Sequence, residues 1–175
     1  MTLDYYRLVN ATSRSSGAVG SLAIVPRVVP AYARKSDKIL DFGAGKDAVQ
    51  TMGLRAQGYD VTAYEVGGNF NPFIHDKNAL NTKYDVVYCS NVLNVQPTRR
   101  YLDLLLTTIK KVLKRDGLLI ANYPSGPRKC DGLGVVELES ILNRNFSDVM
   151  RVKQTRDVPK LNVPVWVCKK GKNGK

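Results

Sequence analysis

The 175-residue chain has one histidine, one tryptophan and three cysteines, and no apolar run near the roughly 20 residues of a membrane span. Each scarcity excludes something. Cys89, Cys130 and Cys168 are odd in number and far apart, with no Cys-x-x-Cys pair. That pattern argues against a disulfide framework or a zinc site, and a reducing, cytoplasmic compartment is expected. The opening Met1-Thr2-Leu3-Asp4-Tyr5-Tyr6 has no basic stretch followed by an apolar one, so it does not read as a signal peptide. No Ser-His-Asp set and no metal-ligand cluster stands out, and neither a metal nor a membrane is expected. His75, the single histidine, lies beside an apolar stretch and reads as a packed or exposed residue, not a catalytic one.

Acidic residues are also in short supply. Lys plus Arg is 27 against 15 Asp plus Glu, a formal charge of +12. Lys169, Lys170, Lys172 and Lys175 lie in or beside a glycine-containing tail, taken as a disordered segment over 170–175, which leaves +8 on the rest. A balance of this sign favours a polyanionic partner, DNA or RNA by default, although a solvated basic surface explains it equally well. Arg14, Arg27, Arg34, Lys35, Arg99, Arg100, Arg128 and Lys129 are candidate phosphate contacts, several of them on loops expected near the ligand.

The residues present are organised around Ile39-Leu40-Asp41-Phe42-Gly43-Ala44-Gly45-Lys46-Asp47. An apolar strand runs into a carboxylate and two glycines, and a helix from Ala48 to Gln57 follows, closed by Gly58. Glycines let the backbone bend sharply and let a ligand come close, and the first N–H groups of the following helix face that ligand. Further strands are expected at 60–65, weakly at 73–75, and at 85–89 and 118–122. The clearest helix carries Leu102, Leu105, Leu106, Ile109, Val112 and Leu113 at spacings of three and four. A last helix over about 135–143 and two closing strands near 147–155 and 163–169 complete the pattern. Pro26 and Pro30 predict two short helices or one broken one before the first strand. Strands alternating with helices imply a mostly parallel sheet covered on both faces, an α/β three-layer sandwich. The chain divides into an N-terminal helical segment, 1–36, the sheet domain, 37–169, and the tail.

Gly43-Ala44-Gly45-Lys46-Asp47-Ala48 fits G-x-G-x-x-G/A, a dinucleotide fingerprint, and Glu65 ends the second strand where a carboxylate binds ribose hydroxyls. Three features favour another cofactor. Asp41 precedes the glycines where dinucleotide folds usually carry an apolar residue. The chain is short for a separate substrate domain. It closes on a two-strand hairpin.

On these residues the sequence resembles the class I, Rossmann-like S-adenosylmethionine-dependent methyltransferases, from about Lys38 onward. Asp41-Phe42-Gly43-Ala44-Gly45 is similar to the first motif of that family, Tyr64-Glu65 to the second, Asp76 to Leu80 to the third, and Asp85 to Asn91 to the fourth. Lys114 to Leu119 resembles the turn before the fifth strand, with Arg115-Asp116 where Pro-Gly is usual. More faintly, Thr12-Ser13-Arg14 and Asn91 to Val95 are similar to methyltransferases linked to phage and DNA-modification systems.

The resemblance implies a seven-strand sheet, order 3-2-1-4-5-7-6, with strand 7 antiparallel, and S-adenosyl-L-methionine as cofactor. It implies cofactor contacts from Asp41, Gly43, Ala44, Gly45, Glu65, Val66, Asp76 and Asn91, and substrate contacts from Arg14 and Asn94. Asn91 is the one catalytic candidate, because it follows the fourth strand. Each has a plainer reading: Asp76 as a cap, Asn91 as a helix cap, Asn94 as a surface residue, Tyr64 as filler at the sheet edge. The D/N-P-P-Y/F signature of amino-methylating DNA enzymes is replaced here by Asn91-Val92-Leu93-Asn94, which removes the aromatic that stacks on a flipped base. Without a general base, a proximity mechanism on an amine or ring nitrogen is expected. A nucleic acid or nucleotide is the favoured acceptor. A small molecule or protein acceptor, or a non-catalytic cofactor-binding subunit, are the alternatives.

Overall fold

Side chains along a strand alternate between the two faces of a sheet, so a strand apolar at every position is buried on both. Val86–Cys89 has that character, and Ile39–Phe42 is likewise buried along its length with the Asp41 carboxylate as its one charged member. The structure, a computed structural model, describes residues 7–9, 11, 23–124, 132–156, 158 and 160–171. Its elements run α1 (Ile24–Val28), β1 (Lys38–Phe42), α2 (Val49–Ala56), β2 (Asp60–Tyr64), β3 (Tyr84–Cys89), α3 (Arg99–Val112), β4 (Leu113–Asn122), α4 (Val135–Asn145), β5 (Asp148–Arg151) and β6 (Val165–Lys169).

The sheet has six strands in the order β2-β1-β3-β4-β6-β5. β1 pairs in parallel with β2 and β3, and β3 with β4. β6 runs antiparallel to both β4 and β5. Two cores sit on its two faces. Leu40, Val87, Cys89, Leu119, Ala121 and Trp166 pack with the buried stripes of α3 and α4. Ile39, Val86, Tyr88, Ile120, Val165 and Val167 pack with α1 and with Leu54 of α2. The three-layer α/β class follows directly from that alternation. Val25, Val28 and Val29 are fully buried, and the two prolines shorten α1 into a single turn continued by a 3-10 turn at Val29–Ala31. Among the described residues no helix is long and apolar enough to cross a membrane.

The weak strand expected at 73–75 does not form, so the order is the expected one without its first member. Asn71 folds this segment back on itself. Its carbonyl accepts from the N–H groups of Ile74 and His75, and its Oδ1 accepts from the N–H of Phe73. Residues held in such a turn cannot align with an edge strand. The outer carbonyls of β2 are satisfied otherwise: Val61 O accepts from Arg55 Nε at 2.7 Å, and Ala63 O from the Asp76 N–H at 3.0 Å.

β4 starts earlier than expected, directly from α3. Its pairing with β3 jumps from Tyr84↔Leu113 to Val86↔Leu118, and the irregularity holds the Arg115-Asp116 turn, with Asp116 at φ 63°. Lys170 also departs from the expected tail. Its N–H donates to Gly117 O, and its ammonium donates to Leu113 O at 2.7 Å, capping the end of α3.

Candidate functional site

Parallel register places the C-terminal ends of β1, β2, β3 and β4 together, with Phe42 opposite Tyr64, Asp41 opposite Tyr88 and Cys89 opposite Ala121. The chain order reverses between β1 and β3, the position where open α/β sheets bind ligands. The loops leaving these four strands therefore form one rim, and the glycine turn is at its centre.

Both glycines have positive φ, Gly43 at 84° and Gly45 at 75°, for different reasons. A Cβ on Gly43 would lie 2.6 Å from Val92 Cγ2, so Gly43 is where the turn packs against the loop after β3. A Cβ on Gly45 would meet nothing within 4 Å. Gly45 borders open space, and it is this cradle that a ligand can occupy. Gly43 and Ala44 both donate their N–H groups to Tyr64 O, at 2.9 and 3.0 Å, which ties the turn to β2. Ala48, in the left-handed region at φ 43°, starts α2.

Glu65 extends this tie. Its Oε2 accepts from the Gly45 N–H at 2.7 Å and its Oε1 from the Val66 N–H at 2.8 Å. Burial holds its carboxyl above the ordinary range, opposed by those two N–H groups. Asp41 lies underneath, 2% exposed, and accepts from Thr51 Oγ1 at 2.7 Å. It joins β1 to α2 and so orients the turn. Burial pushes its carboxyl up to about 6, against the opposing pull of the Tyr88 and Thr51 hydroxyls. The Tyr88 hydroxyl is close enough to exert that pull, but among the described residues it makes no hydrogen bond of ordinary geometry.

The remaining expected residues divide. Val66 follows Glu65 on the rim. Asp76 is exposed, and its Oδ1 accepts from the Asn78 N–H at 2.7 Å, the capping geometry. Tyr64 is buried against Phe42, ring centroids 4.9 Å apart, and fills the core at the end of β2. Asn91 is at the rim with φ 58°, held by Asn122 and not capping a helix. Asn94 is 2% exposed, which corrects the surface reading: the 3-10 turn Leu93–Val95 folds it inward. Arg14, Arg128, Lys129 and Cys130 lie outside the described residues.

Two of the candidate phosphate contacts, Arg34 and Lys35, lie away from the rim. Lys35 donates to Gln57 O and sits 3.4 Å from the centre of the Tyr59 ring. With Arg34 it precedes β1, at the opposite end of the sheet from the glycine turn. Arg99 does begin on the rim side, and it pairs with Glu137 at 2.7 Å.

Three residues are more central than the sequence suggested. His75 is buried, and its Nε2 lies 2.9 Å from Gly45 O. Asn122, 1% exposed, accepts from the Asn91 N–H at 2.7 Å and donates from Nδ2 to Asn91 Oδ1 at 2.8 Å. Ser90 Oγ is buried at the end of β3 with no hydrogen-bond partner among the described residues. A lone histidine and an asparagine at a strand end carry no sequence pattern, although the closeness of Asn122 to the end of its strand was a usable signal.

The residues fit the cofactor the sequence resemblance implies. An open cradle at Gly45 adjoins a carboxylate at the end of β2, which suits the ribose hydroxyls of that cofactor.

A family model described as a methyltransferase domain matches residues 21–154. Among solved structures, a TehB-like SAM-dependent methyltransferase from Corynebacterium glutamicum aligns over 97% of this chain and 98% of its own, with TM-score 0.60 and 16% identity. The 1,6-didemethyltoxoflavin-N1-methyltransferase of Burkholderia thailandensis, with bound 1,6-didemethyltoxoflavin and S-adenosylhomocysteine, aligns over 95% and 86%, with TM-score 0.66 and 17% identity. A SAM-dependent methyltransferase from Bacteroides fragilis in complex with S-adenosyl-L-homocysteine aligns over 86% and 78%, with TM-score 0.60 and 13% identity. At these identities the likeness is one of fold. No curated protein sequence matches the chain.

Proposed function

This chain belongs to the methyltransferase domain family, and we propose that it transfers a methyl group from S-adenosylmethionine to nucleic acid or a nucleotide. The observation that carries the cofactor half is the open cradle at Gly45, whose N–H is held by Glu65. When bound, the cofactor supplies a sulfonium methyl that needs no further activation. The chain's own residues then have to bind and align. Asp41 fixes the turn from below, Glu65 offers a carboxylate to ribose hydroxyls, and Asp76 and Val66 border the adenine side. Asn91, fixed by Asn122, stands at the end of β3 where the methyl group and acceptor meet.

The acceptor half rests on the charge of +12 and on the sequence offering no Ser-His-Asp set or other evident general base, which suits an amine or ring nitrogen. A second reading, transfer to a small molecule or protein, is favoured by the position of Arg34 and Lys35 at the far end of the sheet. Salt separates the two. Affinity for a single-stranded or duplex oligonucleotide is expected to fall steeply as salt rises, with a slope set by the number of phosphates neutralised. Transfer of labelled methyl from S-adenosylmethionine to oligonucleotides supports the first reading. Transfer only to small heterocycles or protein, with no salt-dependent oligonucleotide binding, replaces it.

A further inference from the structure

His75 makes two hydrogen bonds whose directions fix its protonation state. The Asn71 N–H can only donate, and it points at Nδ1 over 2.8 Å. Nδ1 therefore carries no proton, the ring is neutral, and the proton is on Nε2. Nε2–H then donates to Gly45 O at 2.9 Å. The same carbonyl accepts from the Ala48 N–H at 3.2 Å, the bond that turns the chain into α2. Gly45 is thus held at both polar groups, its N–H by Glu65 and its C=O by His75. Because a trans peptide sets C=O and the next N–H antiparallel, fixing the Gly45 carbonyl toward His75 aims the Lys46 N–H the opposite way.

We propose that His75 is a positioning residue for the cofactor turn. Its neutral imidazole links the Asn71–His75 turn to Gly45 and sets the plane of the Gly45–Lys46 peptide before any ligand arrives. The segment expected as the third strand thereby acts as a brace on the glycine turn. The groups facing the ring are the Asn71 N–H, the Gly45 carbonyl, the Phe70 ring at 5.9 Å between centroids, and the Glu65 carboxylate. A preset peptide plane lowers the ordering cost of binding, so its loss appears in cofactor affinity. This inference rests on the S-adenosylmethionine reading of the site.

The test has two parts. His75 is the only histidine, so the imidazole nitrogen NMR spectrum of the labelled wild-type chain contains one ring to assign. The proposal expects the Nε2-protonated neutral tautomer at neutral pH. The Nδ1-protonated tautomer, or a ring averaging freely between the two, overturns it. Calorimetric titration with S-adenosylhomocysteine is the second part, on the wild type, His75→Phe and His75→Gln. Gln keeps a donor within reach of Gly45 O. Affinity at least fivefold weaker in His75→Phe and largely restored in His75→Gln is expected. Equal affinity in wild type and His75→Phe, whatever happens to melting temperature, assigns a purely structural role and overturns the proposal. Should neither variant fold, the tautomer decides. A wild-type chain with the expected tautomer and no affinity for S-adenosylhomocysteine overturns the cofactor reading, and with it the role given to His75.

Discussion

The Gly45 N–H donates to Glu65 Oε2 at 2.7 Å, so the glycine turn after β1 and the carboxylate after β2 form one unit. Glu65 consequently does two things in a methyltransferase site of this kind. On the proposed function it offers a carboxylate to the ribose, and it holds the Gly45 backbone beside the proposed cradle. Glu65→Ala removes both. The expected loss in S-adenosylhomocysteine affinity is on the order of 1–3 kcal/mol, the cost of leaving buried hydrogen-bonding groups unpaired. Unchanged affinity by calorimetry removes Glu65 from the site.

The two glycines of the turn should respond differently to alanine. Gly43→Ala meets positive φ and a Cβ placed 2.6 Å from Val92 Cγ2, and overpacking of this kind costs roughly 1–3 kcal/mol. Gly45→Ala meets only positive φ, a cost of about 1 kcal/mol, and puts its methyl into open space. Urea unfolding should therefore show the larger loss for Gly43→Ala. Cofactor titration should show Gly45→Ala folded but impaired in binding. Tight binding by Gly45→Ala would mean that the open space at Gly45 is not the cradle.

Asp41 sets a pH dependence with a definite sign. Burial raises its carboxyl from 3.8 to about 6, so the folded chain holds this proton more tightly than the unfolded chain does. A raised acid favours the fold most at low pH, and that contribution declines as pH rises from about 4 to about 6 and is flat above. Asp41→Asn keeps an acceptor for Thr51 and has no proton to lose. The stability of Asp41→Asn relative to wild type should rise by about 2–3 kcal/mol between pH 4 and pH 7, from a shift of about two units. Denaturant titrations at the two pH values measure it, and a constant difference between the proteins contradicts the assignment.

Asn91 and Asn122 exchange two hydrogen bonds across the ends of β3 and β4, and Asn91 has a left-handed backbone there. The pair should be energetically coupled. A double-mutant cycle with Asn91→Ala and Asn122→Ala is expected to give a coupling of roughly 0.5–3 kcal/mol in unfolding free energy. Simple additivity of the two single changes would separate them.

What was legible in the sequence followed from period and local chemistry. The stripe from Leu102 to Leu113 gave α3 its buried face, the doubly apolar runs gave the parallel strands, and Asp41 to Gly45 with Glu65 marked the rim. Local propensity did not predict contacts between distant segments. The stretch 73–75 is apolar enough for a strand, but Asn71 captures three backbone N–H groups of the residues that follow it. His75 looked isolated because its partner, Gly45 O, is 30 residues away. Asn94, taken as a substrate contact or else a surface residue, is buried, and nothing in Asn91 to Val95 announces the inward 3-10 turn. Arg34 and Lys35 are close in sequence to the glycine turn, but a whole strand carries the chain across the sheet between them.

The central claim is that this glycine turn holds an S-adenosyl cofactor and not a dinucleotide, although its spacing fits both. Parallel calorimetric titrations of the wild-type chain with S-adenosylhomocysteine and with NAD test it. The account predicts saturable one-to-one binding of S-adenosylhomocysteine and no measurable binding of NAD. Binding of NAD without binding of S-adenosylhomocysteine would contradict it.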